Sequence, residues 1–534
     1  MEKRGLFSGN EAIARAARDS GVRLGIGYPG TPSTEILEEL ARLGGPAQWA
    51  PNEKVALEVA LGVAFGGGRV LVTMKHVGLN VAADPFFTAA YTGVDGGLVL
   101  VSADDPGMAS SQNEQDNRWY ALAAGVPMLE PADPQEAYRW TRRAFALSER
   151  WQIPVLLRTT TRVSHSQGVV FVEEPDSNLP EPRFERDVPR RVMIPAYARP
   201  AHKRLRAKLR EIQAWAETEE SGMWEWIQGD QRLGIIASGV SYLHVREAFP
   251  EASVLKLHLT HPLPFGVIRR FQQRVQRCVV VEEGDPYLEE QIRAARIPVE
   301  GKPAESYRFG ELNVLRVRRL VAGEEESEET PLKGRPPRLC DGCPYRVVFQ
   351  DLRDLGCIVA GDIGCYTLGA LPPFTAMDTC VCMGASIGVG LGLRHVLPPE
   401  QARKVVSVIG DSTFLHSGLT GLVEMVYNPP PTGHVVIVLD NHTTAMTGHQ
   451  EHPGTGRRLN HEPTRRVVIE EVARAIGLDR VHVVEPRFGS DVFRRVLEES
   501  LESGQLVLIV ARRPCIFVAR KVKEEKAKER ATES

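Results

Sequence analysis

Lys404-Val405-Val406-Ser407-Val408-Ile409-Gly410-Asp411-Ser412 reads as a buried strand ending on a glycine, an acid and a hydroxyl. A short run of β-branched residues bounded by a turn signal fits a strand covered on both faces. A second such run, His434-Val435-Val436-Ile437-Val438-Leu439-Asp440, ends on Asn441-His442-Thr443, and Asn441 lies 30 positions after Asp411. In a parallel sheet both runs finish at the carboxyl edge, where α/β proteins bind ligands. An Asp carboxylate, an Asn amide oxygen and a backbone carbonyl are hard donors that suit Mg2+, with phosphate oxygens and water completing its octahedron. Glycine lets the backbone approach a phosphate. Read alone, an acid at a strand end also serves as a helix cap.

Working outward, β-rich runs alternate with helical periodicity throughout. This predicts an α/β fold of several doubly wound, mostly parallel-sheet domains. Residues 1–175 form a first block, with strands expected at 22–28, 69–74, 97–102 and 153–158. Residues 176–230 start Pro-rich and turn charged and amphipathic from Lys203 to Trp226, a connector with one helix. Residues 231–325 form a smaller α/β block, with strands at 233–238, 253–257 and 278–282. A polar linker covers 326–337. The last block, 338–520, has strands at 357–360, 404–409, 434–440 and 506–511, and 521–534 is a charged tail.

The 534 residues carry 65 Lys and Arg against 68 Asp and Glu, a net charge of −3, which argues against a nucleic-acid binder. With 43% hydrophobic and 25% charged residues the composition is that of a globular chain with several cores. No apolar run has the length of a membrane span, and the N-terminus MEKRGLFSGN has no signal-peptide core, so the cytoplasm is expected. Eight cysteines are too few for a disulfide scaffold, and in a reducing compartment organised cysteines are metal or cluster ligands.

Cys340-Asp341-Gly342-Cys343 by itself is a redox pair, half a zinc site or one corner of a cluster. Cys365 follows Cys343 by 22 positions, and Cys515 lies just past the last expected strand. Cys278, Cys357, Cys380 and Cys382 read as small buried hydrophobes. In the first block, Glu53 opens a helix with an apolar stripe of Val55, Ala56, Val59, Ala60 and Val63. Alone, Glu53 is a first-turn acid that complements the helix dipole.

Three further segments accompany it: Tyr28-Pro29-Gly30-Thr31-Pro32, Thr73-Met74-Lys75-His76-Val77-Gly78, and Ser110 to Arg118. The pair Gly410-Asp411-Ser412 and Asn441 resembles the GD(G/S)…N diphosphate motif of thiamine diphosphate enzymes, with Ser412 where Gly is commoner. From about residue 5 to 520 the whole set resembles the large subunit of the indolepyruvate type of 2-oxoacid:ferredoxin oxidoreductase.

The resemblance implies that Asp411, Asn441 and the carbonyl of Thr443 hold Mg2+, and that Gly30, Gly410, Ser412 and Thr447 also contact thiamine diphosphate. It implies that Glu53 hydrogen-bonds the cofactor's N1′ and favours the 4′-imino form, the internal base. Thr31 would lie near the substrate carbonyl. Lys75, His76 and Arg118 would bind the substrate carboxylate or coenzyme A, with His76, His416 and His442 as proton carriers. Cys340, Cys343, Cys365 and Cys515 would hold a 4Fe–4S cluster, one thiolate per iron.

The reaction so implied is oxidative decarboxylation of a 2-oxoacid, an arylpyruvate such as indolepyruvate, to an acyl-CoA. Electrons would pass through the cluster to ferredoxin or another acceptor. The rival is a non-redox thiamine decarboxylase or carboligase. A scaffold without turnover conflicts with the complete set of Glu53, Asp411 and Asn441. A smaller beta subunit and a dimer of the large chain are the implied partners. The family's large subunit continues into a ferredoxin-like domain with two runs of cysteines, whereas here no cysteine follows Cys515, so a shorter electron path is expected.

Overall fold

The computed structural model describes residues 3–177, 179–325 and 338–520, so the expected linker 326–337 and tail 521–534 lie outside the described residues. The chain divides into two compact units, Met1–Pro331 and Leu332–Ser534.

The first unit contains a seven-stranded sheet. Its spatial order is Leu259–His261, Met128–Leu129, Val155–Thr160, Leu98–Asp104, Val70–Lys75, Leu24–Gly27 and Ala47–Trp49. All neighbours are parallel except Leu259–His261, which runs antiparallel to Met128–Leu129. Val70–Lys75 and Leu98–Asp104 are buried along their whole length, which is why they read as continuous apolar runs rather than alternating ones. Each fully buried Val or Leu contributes about 1.5–3 kcal/mol relative to exposure.

Helix Glu53–Phe65 starts where the Asn52 side chain accepts the Val55 N–H at 2.9 Å. Ala56, Leu57, Ala60 and Ala64 face the core, and these mostly small residues let the helix sit close to the sheet. Val59, part of the expected stripe, is 37% exposed.

The same unit holds a four-stranded sheet, ordered Arg277–Val281, Asp230–Ser238, Ala252–Leu257 and Trp224–Ile227. This corrects the reading of 176–230 as connector. Its helix is Pro195–Ala216, starting before Lys203, and Trp224–Ile227 pairs antiparallel with Ala252–Leu257 as an edge strand. Trp and Ile there prefer a half-buried pleated surface to a further helical turn. A two-stranded antiparallel ribbon, Lys3–Ser8 with Gln167–Val172, was also not expected.

The second unit is built on a six-stranded, fully parallel sheet. Its order is Thr379–Cys380, Ile358–Gly361, Val405–Gly410, His434–Asp440, Leu506–Arg512 and Arg480–Val484. Numbered along the chain, this order is 2-1-3-4-6-5. The first six parallel strands of the seven-stranded sheet follow the same order, with Leu24–Gly27 as strand 1 and Val70–Lys75 as strand 3. Each sheet therefore has its topological switch point between strands 1 and 3, the crevice where open α/β sheets take ligands. Gly30, Thr31, Lys75 and His76 follow those strands in one unit. Asp362 and Asp411 follow them in the other. Among the described residues no helix is long and apolar enough to cross a membrane.

Candidate active site

In the second unit, strand Val405–Gly410 delivers Asp411 into a position 2% exposed. Its Oδ1 accepts the N–H of Ser412 at 2.9 Å and its Oδ2 that of His442 at 2.8 Å. Burial pushes this carboxyl up, but His452 beside it and the Ser412 N–H outweigh that and hold it below the usual range. His442 has φ +62°, and Asn441 closes the turn by accepting the Thr443 N–H on Oδ1 at 2.9 Å. Thr443 is buried, and Ser412 Oγ lies 2.8 Å from Thr444 Oγ1. Thr447 Oγ1 donates to Gln450 Oε1 at 2.5 Å across a turn, one step outside this set.

Gly410 packs closely against an aromatic side chain. A Cβ there would lie 2.7 Å from the Tyr366 ring, so the glycine makes room for an aromatic side chain. His416 is 3% exposed in a wide helical turn, Phe414–Gly418, with Nδ1 2.6 Å from Ser417 Oγ.

The donor set of Asp411, Asn441 and Thr443 fits Mg2+: all its donors are oxygens. Beside this set, Nε2 of the buried His452 lies 3.2 Å from Asp411 Oδ2.

The four cysteines come from three loops of this unit and act on one another electrostatically. Burial and the neighbouring Cys515, Cys340 and Cys343 push the Cys365 thiol up to about 11. Burial, Cys340 and Cys515 also raise Cys343, against the Tyr345 N–H. Two thiols held protonated beside two further sulfurs fit the ligand set of a cationic centre that would replace those protons. Cys340 is exposed and the other three are half-buried. Cys515 donates its backbone N–H to the carbonyl of Asn441 at 3.0 Å, so the Cys515 loop is bonded directly to the loop that follows strand His434–Asp440. Tyr345 is buried between the two sets: after burial, Asp411, Asp440, Cys343 and Cys515 are what push its hydroxyl up.

Two of the cysteines read as buried hydrophobes are exposed. Cys380 and Cys382 sit at the rim because Thr379–Cys380 is the edge strand of the sheet. Cys278 is buried and Cys357 half-buried.

In the first unit, Glu53 is 5% exposed at the start of its helix, and Gly78 faces its carboxylate. Lys75 ends the central strand. Its ammonium donates to the Ser110 carbonyl, and its Cβ lies 3.0 Å from the position a Cβ on Gly30 would take. Burial lowers the Lys75 pKa to about 8, against the pull of Asp105. His76 is fully buried with Nε2 3.2 Å from the Asn113 carbonyl, and burial lowers its pKa too. Thr31 is half-buried on the loop held by Ser33 Oγ, which donates to the Gly30 carbonyl at 2.9 Å.

Arg118 is not available to a substrate. It is 1% exposed, and its guanidinium is bonded to Asp116, Glu282 and the carbonyls of Glu283 and Asp285. It ties the first block to the smaller sheet.

Two family models match. Residues 15–223 match "Pyruvate flavodoxin/ferredoxin oxidoreductase, thiamine diP-bdg", and residues 362–511 match "Thiamine pyrophosphate enzyme, C-terminal TPP binding domain". A protein of Archaeoglobus fulgidus named indolepyruvate oxidoreductase subunit IorA is 41% identical, over 97% of this chain and 88% of its own length. The chain belongs to the IorA family of indolepyruvate oxidoreductase subunits. A Pyrococcus abyssi IorA is 40% identical over 96% of this chain and 86% of its own. A 2-oxoglutarate synthase subunit KorA of Methanothermobacter marburgensis is 32% identical over 33% of the chain and 49% of its own. In fold, this IorA-family chain is similar to the 2-oxoglutarate:ferredoxin oxidoreductase of Magnetococcus marinus, solved with 2-oxoglutarate, coenzyme A and succinyl-CoA. The TM-score is 0.51 at 17% identity, over 60% of this chain and 65% of that one.

Within the family frame, sequence reading missed three residues. His452 lacked any motif of its own, and Gly78 stood in the Thr73–Gly78 segment without an assigned role. Asp362 had a visible signal, since Gly361-Asp362 repeats the strand-ending Gly-Asp of Gly410-Asp411. Its fully buried carboxylate accepts the N–H groups of Ile363, Gly384 and Ser386, each at 2.9 Å, and so joins the Cys365 turn to helix Ala385–Val396.

Proposed function

We propose that this chain is the catalytic subunit of a thiamine diphosphate-dependent oxidoreductase that converts an arylpyruvate such as indolepyruvate to its acyl-CoA. The reaction joins a 2-oxoacid and coenzyme A, and releases CO2, one proton and two electrons. When bound, thiamine diphosphate supplies the carbanion that attacks the keto carbon and the electron sink for decarboxylation.

The protein's own residues do the rest. Glu53 holds a proton at the aminopyrimidine N1′ from a buried helix start. Lys75 pairs with the substrate carboxylate while Thr31 hydrogen-bonds the keto oxygen. His76 and His416 carry protons. Asp411, Asn441 and the Thr443 carbonyl hold Mg2+ against the diphosphate, with Gly30, Ser412 and Thr447 around the cofactor. Cys340, Cys343, Cys365 and Cys515 bind a 4Fe–4S cluster that accepts electrons singly and passes them to ferredoxin or another acceptor. A smaller partner subunit completes the enzyme.

The observation that carries the redox reading over a non-redox decarboxylase is the bond from Cys515 N–H to the Asn441 carbonyl. It sets Cys515 beside the loop that follows strand His434–Asp440, the adjacency an electron-transferring enzyme would use.

The test is an anaerobic assay of the chain co-expressed with its partner, given thiamine diphosphate, Mg2+, coenzyme A and a viologen dye. Dye reduction with arylpyruvates ahead of pyruvate and branched-chain 2-oxoacids is expected. Aldehyde formation without dye reduction would establish the non-redox reading instead.

A further inference from the structure

The loop after Asn441 doubles back on itself. Thr444 donates its N–H to the Gln450 carbonyl at 3.0 Å and accepts that of His449 at 3.1 Å, through a turn at Gly448 with φ +125°. Thr443 Oγ1 adds a bond to the same Gln450 carbonyl at 3.3 Å. Two residues on, His452 is therefore returned to the end of strand Val405–Gly410, beside Asp411. Its own backbone is pinned there, because its carbonyl accepts the Thr455 N–H at 2.9 Å, and the Pro453 carbonyl accepts that of Val467 at 2.9 Å.

The ring is 5% exposed. Its Nδ1 accepts the Gly454 N–H at 3.2 Å, and the missing side chain of Gly454 leaves room for the ring. An imidazole whose Nδ1 accepts a hydrogen bond has Nε2 as its N–H donor. That Nε2 lies 3.2 Å from Asp411 Oδ2 without a well-formed hydrogen bond to it, and no other described residue accepts it. Asp411 Oδ2 already accepts the His442 N–H at 2.8 Å. A buried N–H without an acceptor is disfavoured and persists where a ligand or water completes it. With its proton on Nε2 the ring offers a donor for an oxyanion, not a lone pair for a metal.

We propose that His452 is a further diphosphate-binding residue, donating its Nε2–H to a cofactor oxygen next to the metal-bearing Asp411. The proposal rests on the thiamine diphosphate reading above.

Its test is binding, not turnover. Inorganic pyrophosphate with Mg2+ is titrated calorimetrically into the co-expressed complex for wild type, His452→Leu, His452→Asn and His452→Gln. Thiamine diphosphate is titrated in parallel by near-ultraviolet circular dichroism, and Mn2+ alone by electron paramagnetic resonance. A lost hydrogen bond to a charged oxygen predicts a weakening of about ten- to a hundredfold for pyrophosphate and cofactor in the Leu variant. The Asn variant, whose amide reaches only the Nδ1 position, should behave alike. The Gln variant places an N–H near Nε2 and should recover to within about threefold of wild type. Mn2+ affinity without diphosphate should be unchanged throughout.

Unchanged pyrophosphate affinity in the Leu and Asn variants would overturn the proposal. So would a Gln variant as weak as Asn, or an equal loss of Mn2+ alone, which would mean that His452 acts only through Asp411. Wild type that binds neither pyrophosphate nor thiamine diphosphate would instead overturn the functional reading itself.

Discussion

Gly78 and Glu53 are in contact across two elements of the first unit: a Cβ on Gly78 would lie 2.6 Å from Glu53 Oε1 and 2.8 Å from its Cγ. The glycine is what allows a buried carboxylate to stand at the start of helix Glu53–Phe65. Gly78→Ala must therefore move Glu53. Overpacking of this kind costs about 1–3 kcal/mol, leaving a folded protein with a displaced acid. Turnover is expected to fall about a hundredfold or more, together with proton exchange at the cofactor C2 followed by NMR. Undiminished exchange in Gly78→Ala would show that Glu53 does not need its present position.

Glu53→Gln tests the same group without the steric change. Loss of the carboxyl proton at N1′ predicts a drop of about 10²–10⁴-fold in turnover with cofactor binding retained. Stopped-flow decarboxylation and a circular dichroism titration on one preparation separate the two.

Lys75 predicts a pH dependence. Its pKa is about 8 because burial disfavours the ammonium, against Asp105. The charge that pairs with a substrate carboxylate is present below about 8 and lost above it. KM for the 2-oxoacid should rise about tenfold per pH unit beyond that point, with kcat little changed. Stability moves the other way. Between about 8 and the ordinary 10.5 the unfolded chain binds more protons than the folded one, so this residue's contribution rises with pH. Lys75→Met should flatten both trends, measured as KM and urea-unfolding profiles.

The cysteine set predicts a clean division. Cys340→Ala or Cys515→Ala should abolish the broad visible absorbance and most of the iron of anaerobically purified protein. Cys382→Ala, at the exposed rim, should change neither. Equal iron in all three variants would remove the cluster from this chain.

Arg118→Met tests a structural role. Removing this guanidinium strips Glu282 of its ion pair and leaves Asp116 only the longer 3.7 Å contact to Arg158, with the two acids 1% and 8% exposed. Breaking such a buried pair costs about 3–5 kcal/mol, read from urea unfolding, and the surviving folded enzyme should keep its KM.

The two diphosphate-side strands and their terminal residues were legible because a strand buried on both faces must be apolar throughout, and its first polar residue marks the edge. Helix Glu53–Phe65 was legible from its period, although periodicity overstated Val59 as core. The edge strands Trp224–Ile227 and Thr379–Cys380 were not legible. They are short, and edge pairing depends on what lies beside them rather than on their own pattern.

The α/β class, the polar residues that end the buried strands and the family to which the chain belongs could all be read from the sequence. These follow from local rules: burial writes apolar runs, and turns write their residues between them. The fold established that six parallel strands in each sheet run 2-1-3-4-6-5, that Arg118 is a buried tie, and that the Cys515 N–H bonds to the Asn441 carbonyl. It alone brought His452 onto Asp411. Those relationships join residues far apart in the chain, and distance in sequence carries no information about which loops a folded sheet places side by side.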